Sequence, residues 1–209
     1  PERPDGLTKV FKQWVGDIFY ESKAIRKGLV PQVLMVKLRN SIHYKEHFIT
    51  CFGKENICFV KMLSDLIEIQ NRNKLIIDLV EYYSKEKRTI LVITDRVKHV
   101  KDLGKLLKLK NIDFGLYIGT EMKDKQKQES IVKSIIIATT KSFGEGIDKS
   151  DLDTLVIASP KKHSETYGTK IGSSNFIQLV GRIFRKNHKD INPLIVDIWD
   201  MFSVFQNQG

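Results

Sequence analysis

Short apolar segments alternate with amphipathic ones along the second half of the chain, and this rhythm constrains the fold more than any other feature. The predicted strands span residues 89–93, 114–118, 134–138, 154–158 and 194–198, and the predicted helices span residues 97–109, 123–132 and 176–184. Short apolar strands that alternate with helices form a mostly parallel sheet with helices on both faces. We therefore predict a three-layer α/β fold, in which ligands bind beyond the carboxyl ends of the strands.

The first third of the chain is less regular. Apolar residues predict short strands at 18–20 and 33–36. Apolar residues at intervals of three and four from 59 to 83 predict two helices that meet near residues 71–73. Residues 40–75 match no pattern that we can place, and one interpretation of them is an insertion.

The cysteines and histidines of this region do not form a recognisable metal site. Cys51 and Cys58 are the only cysteines, and their separation fits no common zinc spacing. We expect two reduced, buried thiols, as in a cytoplasmic or nuclear protein. His43 and His47 lie four residues apart without a third ligand, so surface or core histidines are the better interpretation and we predict no bound metal.

The charge of the chain indicates a polyanionic partner. Lys and Arg number 35 against 25 Asp and Glu, which gives a formal net charge of +10 and an isoelectric point near 9.5. Because phosphate neutralisation supplies most nonspecific affinity for nucleic acid, we expect DNA or RNA as a partner, although a merely basic protein would have the same composition. No apolar run approaches the roughly 20 residues of a membrane-spanning helix, so we expect no membrane partner.

Two polar clusters follow predicted strands. The first, Thr94, Asp95 and Arg96, follows the strand at 89–93. Asp95 is expected to cap the next helix, while Thr94 and Arg96 could hold a phosphate at its start. The second cluster covers residues 139–148, where two hydroxyls, a lysine and two glycines suit contact with phosphates. A tight turn with solvated polar side chains is the structural alternative for that second cluster.

The most specific cluster is the segment 178–185, which reads QLVGRIFR. On a helix, Gln178, Arg182 and Arg185 are spaced four and three residues apart and share one face. Two guanidiniums on one face can clamp a phosphoryl group, although a solvated basic face would have the same pattern. Gly181 costs about 1 kcal/mol relative to alanine inside a helix, so we expect it to let another group approach closely.

The segment 178–185 resembles motif VI of superfamily 2 helicases, in the variant of the XPB and UvsW-like branch that begins with glutamine. The strings TILVITDR and IIIATTKSFGEGIDKSDLDTLVIASP resemble motifs IV and V, and all three occur in the family's order. The opening PERPDG resembles the segment after motif III, GDIFYE the strand that enters the second lobe, and PLIVDIWDMFSVF the closing strand and helix. Within the family, the likeness is nearest to helicases of large cytoplasmic DNA viruses, including the poxvirus transcript-release helicase.

This resemblance implies a domain organisation and a set of ligands. Residues 31–209 would form the second RecA-like lobe of a motor protein, and residues 1–30 would link it to a first lobe. ATP and Mg²⁺ would be bound mainly by that first lobe. The partners would be the first lobe and single-stranded or duplex DNA, or RNA. A viral member would work in the host cytoplasm or the virion.

The resemblance also implies roles for individual residues. Arg182 and Arg185 would be arginine fingers that reach the γ-phosphate of ATP, with Gln178 beside them to sense the nucleotide. The residues that would line the nucleotide side of the cleft are Glu145, Gly146 and Asp148. The residues that would contact the nucleic-acid backbone are Thr94, Arg96, Thr139 and Lys141.

The sequence departs from the family pattern in three respects. The loop at 161–174 is longer than expected before motif VI, and Lys149 and Ser150 stand where the family often has Ile-Pro. The sequence contains neither a Gly-x-x-x-x-Gly-Lys-Ser/Thr loop to hold phosphates nor an Asp-Glu-x-Asp/His box to hold magnesium. We interpret the chain as beginning just after motif III, and we expect it not to hydrolyse ATP alone.

Three alternatives to a motor lobe remain open at the level of sequence. The first is a non-enzymatic, basic nucleic-acid-binding α/β domain. The second is a Rossmann-type enzyme, against which the missing third glycine of the dinucleotide fingerprint argues. The third is a phosphatase-like use of Asp197 and Asp200, whose spacing does not suit a paired nucleophile and acid.

Overall fold

A parallel sheet organises the part of the chain that the computed structural model describes, namely residues 31–39, 43–51, 53–144, 149–160, 180–185 and 191–207. In chain order the elements are β1 (Gln32–Leu38), β2 (Phe48–Cys51), β3 (Lys54–Ile57), α1 (Phe59–Leu66), α2 (Gln70–Lys85), β4 (Ile90–Thr94), α3 (Val97–Leu109), β5 (Gly115–Tyr117), α4 (Asp124–Ile131), β6 (Ile135–Thr139), α5 (Thr140–Gly144), β7 (Thr154–Ile157) and β8 (Leu194–Asp200). Short 3₁₀ turns span Gly119–Glu121 and Ser203–Asn207. The sheet order is β1-β8-β7-β4-β6-β5, and all neighbours are parallel, so the predicted fold class is confirmed.

Alternate residues of the strands fill two cores on opposite faces of the sheet, as strand geometry requires. In β4, Ile90 and Val92 pack with apolar residues of α2 and α3. Leu91 and Ile93 point to the opposite face of the sheet and pack in one core with Ile183. Ile131, the last residue of α4, packs against the same core. Every residue of β4 is buried, which explains why this strand is a continuous apolar run in the sequence. Helices therefore cover both faces.

The two helices predicted between 59 and 83 exist, but they meet earlier than expected. α1 ends at Leu66 and α2 begins at Gln70, so residues 71–73 form the first turn of α2 and do not lie between the helices. The reason is Asn73, whose Nδ2 donates to the Ile67 carbonyl at 2.6 Å and whose N–H donates to the Ile69 carbonyl at 3.0 Å. Asn73 therefore lies in the first turn of α2, and its side chain holds the connection between the two helices.

An exposed hairpin, β2 and β3, was not predicted. All four residues of β2 are exposed, including Phe48 at 49% and Ile49 at 39%, so no alternation of buried and exposed positions marks the strand. Gly53 has a φ of +72° in the connection, a conformation that favours glycine. Cys51 is exposed and Cys58 is buried, and both are free thiols. The expectation of two buried thiols is therefore wrong for Cys51.

A third core joins α1 to the end of the described chain. Met62, Leu63 and Leu66 of α1 pack against Phe205, which is 1% exposed, and Phe59 contacts the Phe205 ring edge-on at 5.4 Å. This contact fixes the segment between β1 and α2 to the residues that follow β8. No helix of the described residues is long and apolar enough to cross a membrane.

Several predictions concern residues outside the described ranges. These are the strand at 18–20, the linking segment at 1–30, the loop at 161–174 and most of the helix at 176–184. The boundary between residues 30 and 31 and the interpretation of 40–75 as an insertion stay predictions.

Candidate nucleotide and nucleic-acid interface

The strands β4 and β6 are neighbours in the sheet and end side by side at its carboxyl edge. Thr94 at the end of β4 is paired in register with Thr139 at the end of β6. Thr140 Oγ1 donates to Asp95 Oδ1 at 2.7 Å and also approaches the Thr94 carbonyl oxygen at 3.3 Å. The described residues of the first two polar clusters therefore meet at one edge of the sheet.

Asp95 does not cap α3, contrary to the prediction. The N-cap residue is Arg96, and no side chain accepts a capping hydrogen bond there. The Asp95 carboxylate instead accepts the hydroxyl of Thr140, because the neighbouring strand end brings that donor within 2.7 Å. The backbone N–H of Asp95 donates to Ser159 Oγ at 3.2 Å. Asp95 thus links the ends of β4, β6 and β7.

Thr94 is fully buried, and its hydroxyl is occupied. Thr94 Oγ1 lies 2.7 Å from His99 Nδ1 and 2.8 Å from Ser159 Oγ. In this arrangement the Thr94 side chain faces the interior and holds the strand ends together.

His99 is the principal residue of this edge that the sequence reasoning missed. It is 0% exposed, and its Nε2 lies 2.9 Å from Asn73 Oδ1. Burial, with a smaller contribution from the Arg72 guanidinium, lowers the pKa of His99 to about 3, so the ring is neutral. One sequence signal could have found it, because His99 stands four residues before Leu103 on the buried stripe of α3.

Thr139 starts the loop of the second cluster by capping a short helix. Thr139 Oγ1 accepts the Ser142 N–H at 3.3 Å and lies 2.5 Å from Ser142 Oγ, which is the bonding of a helix N-cap. Thr139 is 8% exposed. Gly119 approaches from the end of β5, where its φ is +56° and a Cβ would lie 2.6 Å from Ser142 Oγ. The loop therefore begins as the helical turn α5, held from two sides.

The charged residues of this edge lie closer to solvent than the threonines. Lys141 is exposed in the first turn of α5. Arg96 is half-buried, and its Nη2 donates to the Val60 carbonyl at 3.3 Å. Arg96 Nε is buried and has no hydrogen-bond partner among the described residues. Buried neutral hydroxyls and more accessible cations thus occupy the same edge.

The described part of motif VI is a tight helical turn at residues 180–185. Ile183 N–H bonds to the Val180 carbonyl at 3.2 Å, and Arg185 N–H bonds to the Arg182 carbonyl at 3.3 Å. Ile183 is 0% exposed in the second core, and Val180 packs beside it. Arg182 is half-buried and Arg185 is exposed. The turn is therefore anchored by its apolar residues and carries both predicted arginines at its outer side.

Gly181 has open space where a side chain would be. It is exposed, and a Cβ built on it would meet no described atom within 4 Å. The remaining predicted nucleotide-site residues lie outside the described residues; these are Glu145, Gly146, Asp148 and Gln178.

A buried ion pair supports the carboxyl edge from below. Arg72 donates from Nε and Nη2 to the two carboxylate oxygens of Asp200, both at 2.9 Å, and from Nη2 to the Ala158 carbonyl at 2.8 Å. Tyr44 donates its hydroxyl to Asp200 Oδ1 at 2.7 Å. Burial and the neighbouring Asp200 carboxylate raise the pKa of Asp197. Asp200 is engaged in structural bonds, which removes support from the phosphatase-like alternative.

No group of three or more His, Cys, Asp or Glu side chains that could hold a metal ion occurs in the described residues. His47 Nε2 instead lies 2.5 Å from Asp65 Oδ2, which links the start of β2 to α1.

Comparisons with known proteins bear directly on this edge. The family described as the helicase conserved C-terminal domain matches residues 71–187, more than half of the chain. "Putative ATP-dependent RNA helicase L396" of Acanthamoeba polyphaga mimivirus is 27% identical over 206 residues, covering 95% of this chain and 36% of that protein. "Putative helicase 161L" of Invertebrate iridescent virus 6 is 29% identical over 154 residues, covering 66% of this chain and 31% of that protein.

A solved structure shows the same fold. The crystal structure of T4 UvsW superposes with a TM-score of 0.55 at 20% identity, covering 82% of this chain and 32% of that one. The chain thus spans about a third of the length of these relatives. The family match includes β4, β6 and the helical turn, the elements that form the carboxyl edge. The chain belongs to the helicase conserved C-terminal domain family, has a RecA-like α/β fold like that of the matched part of T4 UvsW, and is similar to viral proteins named as helicases.

Proposed function

We propose that this chain is the second lobe of an ATP-driven helicase or translocase, in which the first lobe holds ATP and Mg²⁺ and the second lobe completes the site. The observation that carries the proposal is the helical turn at 180–185. Ile183 anchors this turn in the core, and the turn carries Arg182 and Arg185 at its outer side. An arginine placed on a rigid support can stabilise the charge that develops on a transferring phosphoryl group.

The two arginines differ in exposure, and the difference suggests a division of roles. Arg182 is half-buried and is therefore the better pre-organised of the two, while Arg185 is exposed and can extend toward a ligand outside this lobe. Both guanidiniums offer a planar fork of donors that matches phosphate oxygens. Gln178 would lie beside them, and the residues proposed to line the nucleotide cleft are Glu145, Gly146 and Asp148.

The grip on nucleic acid would come from the carboxyl edge. Lys141 and Arg96 are the cations of the two strand-end clusters, and both are more accessible than the threonines. Thr94 and Thr139 are buried and bonded, so in this proposal they hold the segments that present those cations. With a formal net charge of +10, binding should depend strongly on salt and weakly on sequence.

The test is ATP turnover by the full-length protein, with and without single-stranded DNA or RNA, comparing wild type with Arg185→Ala and Arg185→Lys. We expect turnover to be stimulated by the strand and to fall by about 10³-fold or more in Arg185→Ala. Arg185→Lys is the matched control, because it keeps the charge and removes the planar fork. It should restore little activity if the fork matters.

Failure would have a clear form. An inert wild-type protein, or an Arg185→Ala variant with normal turnover, would leave only a basic nucleic-acid-binding α/β domain. Arg182→Ala distinguishes a motor from a binding module when both ATP turnover and nucleic-acid binding are measured. In a motor it abolishes turnover with binding largely kept, whereas in a binding module it weakens the binding itself.

A further inference from the structure

A continuous chain of hydrogen bonds runs beneath the carboxyl edge. Asp95 N–H bonds to Ser159 Oγ at 3.2 Å, and Ser159 Oγ lies 2.8 Å from Thr94 Oγ1. Thr94 Oγ1 lies 2.7 Å from His99 Nδ1, and His99 Nε2 lies 2.9 Å from Asn73 Oδ1. The chain thus joins the surface loop after β4 to the first turn of α2.

The direction of every bond in this chain is determined by its two ends. At one end, Asp95 N–H can only donate, so Ser159 Oγ accepts. At the other end, the Asn73 amide nitrogen donates to the Ile67 carbonyl at 2.6 Å, so its oxygen faces His99 and accepts from Nε2–H. Those two ends leave one choice for each group between them.

A neutral imidazole that donates from Nε2 must accept at Nδ1. The Thr94 hydroxyl therefore donates to His99, and the Ser159 hydroxyl donates to Thr94. A charged ring would reverse the Thr94 hydroxyl, leave the Ser159 proton without its acceptor, and bring a second cation close to Arg72. The arrangement therefore requires a neutral ring in a single tautomer.

This chain of hydrogen bonds ends at the loop after β4, which the proposed function assigns to nucleic-acid binding. Asp95 accepts the Thr140 hydroxyl at 2.7 Å, and Thr140 is followed directly by Lys141. Arg96 follows Asp95 and begins α3. Both exposed or half-buried cations of the edge are therefore one residue away from a group that the chain holds in place.

We propose that His99 is a positioning residue for nucleic-acid binding, and that it acts through Thr94 and Ser159 on the loop that carries Arg96 and Lys141. This inference rests on the proposed function of the edge. It assigns to His99 no contact with nucleic acid or nucleotide. Its contribution is the acceptor at Nδ1, which sets the orientation of the two hydroxyls and the Asp95 peptide.

Two substitutions at His99 test the roles of the two ring nitrogens separately. His99→Asn can place its amide oxygen near the position of Nδ1, so it retains an acceptor for Thr94 and loses the bond to Asn73. His99→Gln reaches the position of Nε2 instead, so it retains the bond to Asn73 and loses the acceptor for Thr94. Both variants remove a buried ring of the same size, and so they control for each other. Thr94→Val and Ser159→Ala interrupt the chain further along.

The measurement is the concentration of single-stranded DNA that gives half-maximal ATP turnover of the full-length protein, together with kcat, in variants shown by urea unfolding to be folded. We expect His99→Gln, Thr94→Val and Ser159→Ala to raise that concentration by roughly tenfold with kcat little changed, as expected for one lost hydrogen bond. His99→Asn should stay within about twofold of wild type, which is below the cost of a hydrogen bond.

Three results would overturn the inference. Equal loss in His99→Asn and His99→Gln would mean that the ring acts by packing alone. Unchanged half-saturation in all folded variants would mean that the chain does not position the loop, with the motor function intact. A wild-type protein whose turnover no strand stimulates would remove the proposed function itself, and the inference with it.

Discussion

The two ends of the same sheet use polar residues in opposite ways. At the amino end, Arg88 Nη1 donates to the Asn192 carbonyl at 3.0 Å and to Thr154 Oγ1 at 3.3 Å. Asp153 lies 3.6 Å from Arg88 and accepts the Thr89 N–H at 2.9 Å. At the carboxyl ends of β4 and β6, the neutral side chains of Thr94, Thr139 and His99 fill the interior positions, and the cations Arg96 and Lys141 lie outside them. The buried ion pair of Arg72 and Asp200 lies apart from them, beside the ends of β7 and β8.

The difference teaches which polar groups are available for ligands. The side chains of Arg88 and Asp153 are 12% and 3% exposed, form an ion pair at 3.6 Å and make their hydrogen bonds to neighbouring groups of the same end, so that end of the sheet is closed. At the carboxyl end, the buried Thr94 and His99 satisfy each other without any charge. Among the described contacts, neither Arg96 nor Lys141 forms an ion pair, and both side chains are accessible to an anion from solvent.

The largest expected effect comes from the ion pair below the carboxyl end. Arg72→Met leaves Asp200 buried at 0% exposure without its partner, and we expect the free energy of unfolding to fall by about 3–5 kcal/mol. Urea unfolding of the chain measures the loss. The double variant Arg72→Met with Asp200→Leu should recover much of it, because replacing a whole buried ion pair by apolar groups is often neutral.

If Arg72→Met lowered the free energy of unfolding by less than Arg88→Ala does, the contrast between the two ends of the sheet would be wrong. Removal of Arg88 leaves the exposed Glu86, and the buried Asp153 keeps the hydrogen bonds that it accepts from the Thr89 N–H and the Thr154 hydroxyl, one on each carboxylate oxygen. The carboxyl end is expected to be the more costly end to disturb.

The second effect concerns a glycine at the amino end. A Cβ at Gly115, the first residue of β5, would lie 2.4 Å from the Ser130 backbone oxygen and 2.6 Å from its Cα. Since backbone atoms cannot move aside as a flexible side chain can, Gly115→Ala should cost about 1–3 kcal/mol. Thermal or urea unfolding would show it. An unchanged midpoint would mean that β5 and α4 are less tightly packed than the structure indicates.

The periodic parts of this fold could be predicted from the sequence, and the polar parts could not. The helix at 97–109 and the strand at the start of motif IV were predicted with nearly the right bounds. The reason is that the apolar residues of an amphipathic helix or of a buried strand form a regular pattern within the element itself. The hairpin of β2 and β3 was missed since it is exposed on both sides and has no such repeat.

The candidate site divides in the same way. Arg182 and Arg185 could be proposed from the sequence because their spacing and their motif are local, and their role stays a prediction. His99 was missed because its partner Asn73 lies 26 residues away, and because its other partner, Thr94, is bonded to Ser159, which lies 65 residues from Thr94. Only the tertiary fold brings these side chains together. The burial of Thr94 could not be predicted for the same reason, and its contact with nucleic acid stays a prediction.

The third effect is a pH dependence of stability that arises from His99 at the carboxyl end. The pKa of His99 is about 3 in the folded chain and 6.5 without the burial, so the unfolded chain binds the proton first as pH falls. Stability is therefore complete above about pH 6.5 and is lost toward pH 3, by about 1.4 kcal/mol for each pH unit. Urea unfolding at pH 7, 6 and 5 measures the slope.

The control for this slope is His99→Gln, which cannot titrate. The difference between wild type and that variant isolates His99 from the other groups that titrate in the same range. Parallel pH profiles of the two proteins would contradict a neutral, buried His99, and with it the single-tautomer arrangement.

The smallest effect on stability, and the one that best separates stability from function, is expected at Gly181. A Cβ there meets no described atom within 4 Å, so Gly181→Ala should leave the free energy of unfolding unchanged or raise it by up to about 1 kcal/mol, the helix preference of alanine. If a glycine is present because a ligand or another lobe approaches this turn, ATP turnover of the full-length protein should nevertheless fall. Gly115→Ala should give the opposite pair of results, since that glycine is enclosed by its own chain. Normal turnover in Gly181→Ala would show that nothing approaches the turn beside Arg182 and Arg185, and the contrast between the closed and the open end of the sheet would then not extend to motif VI.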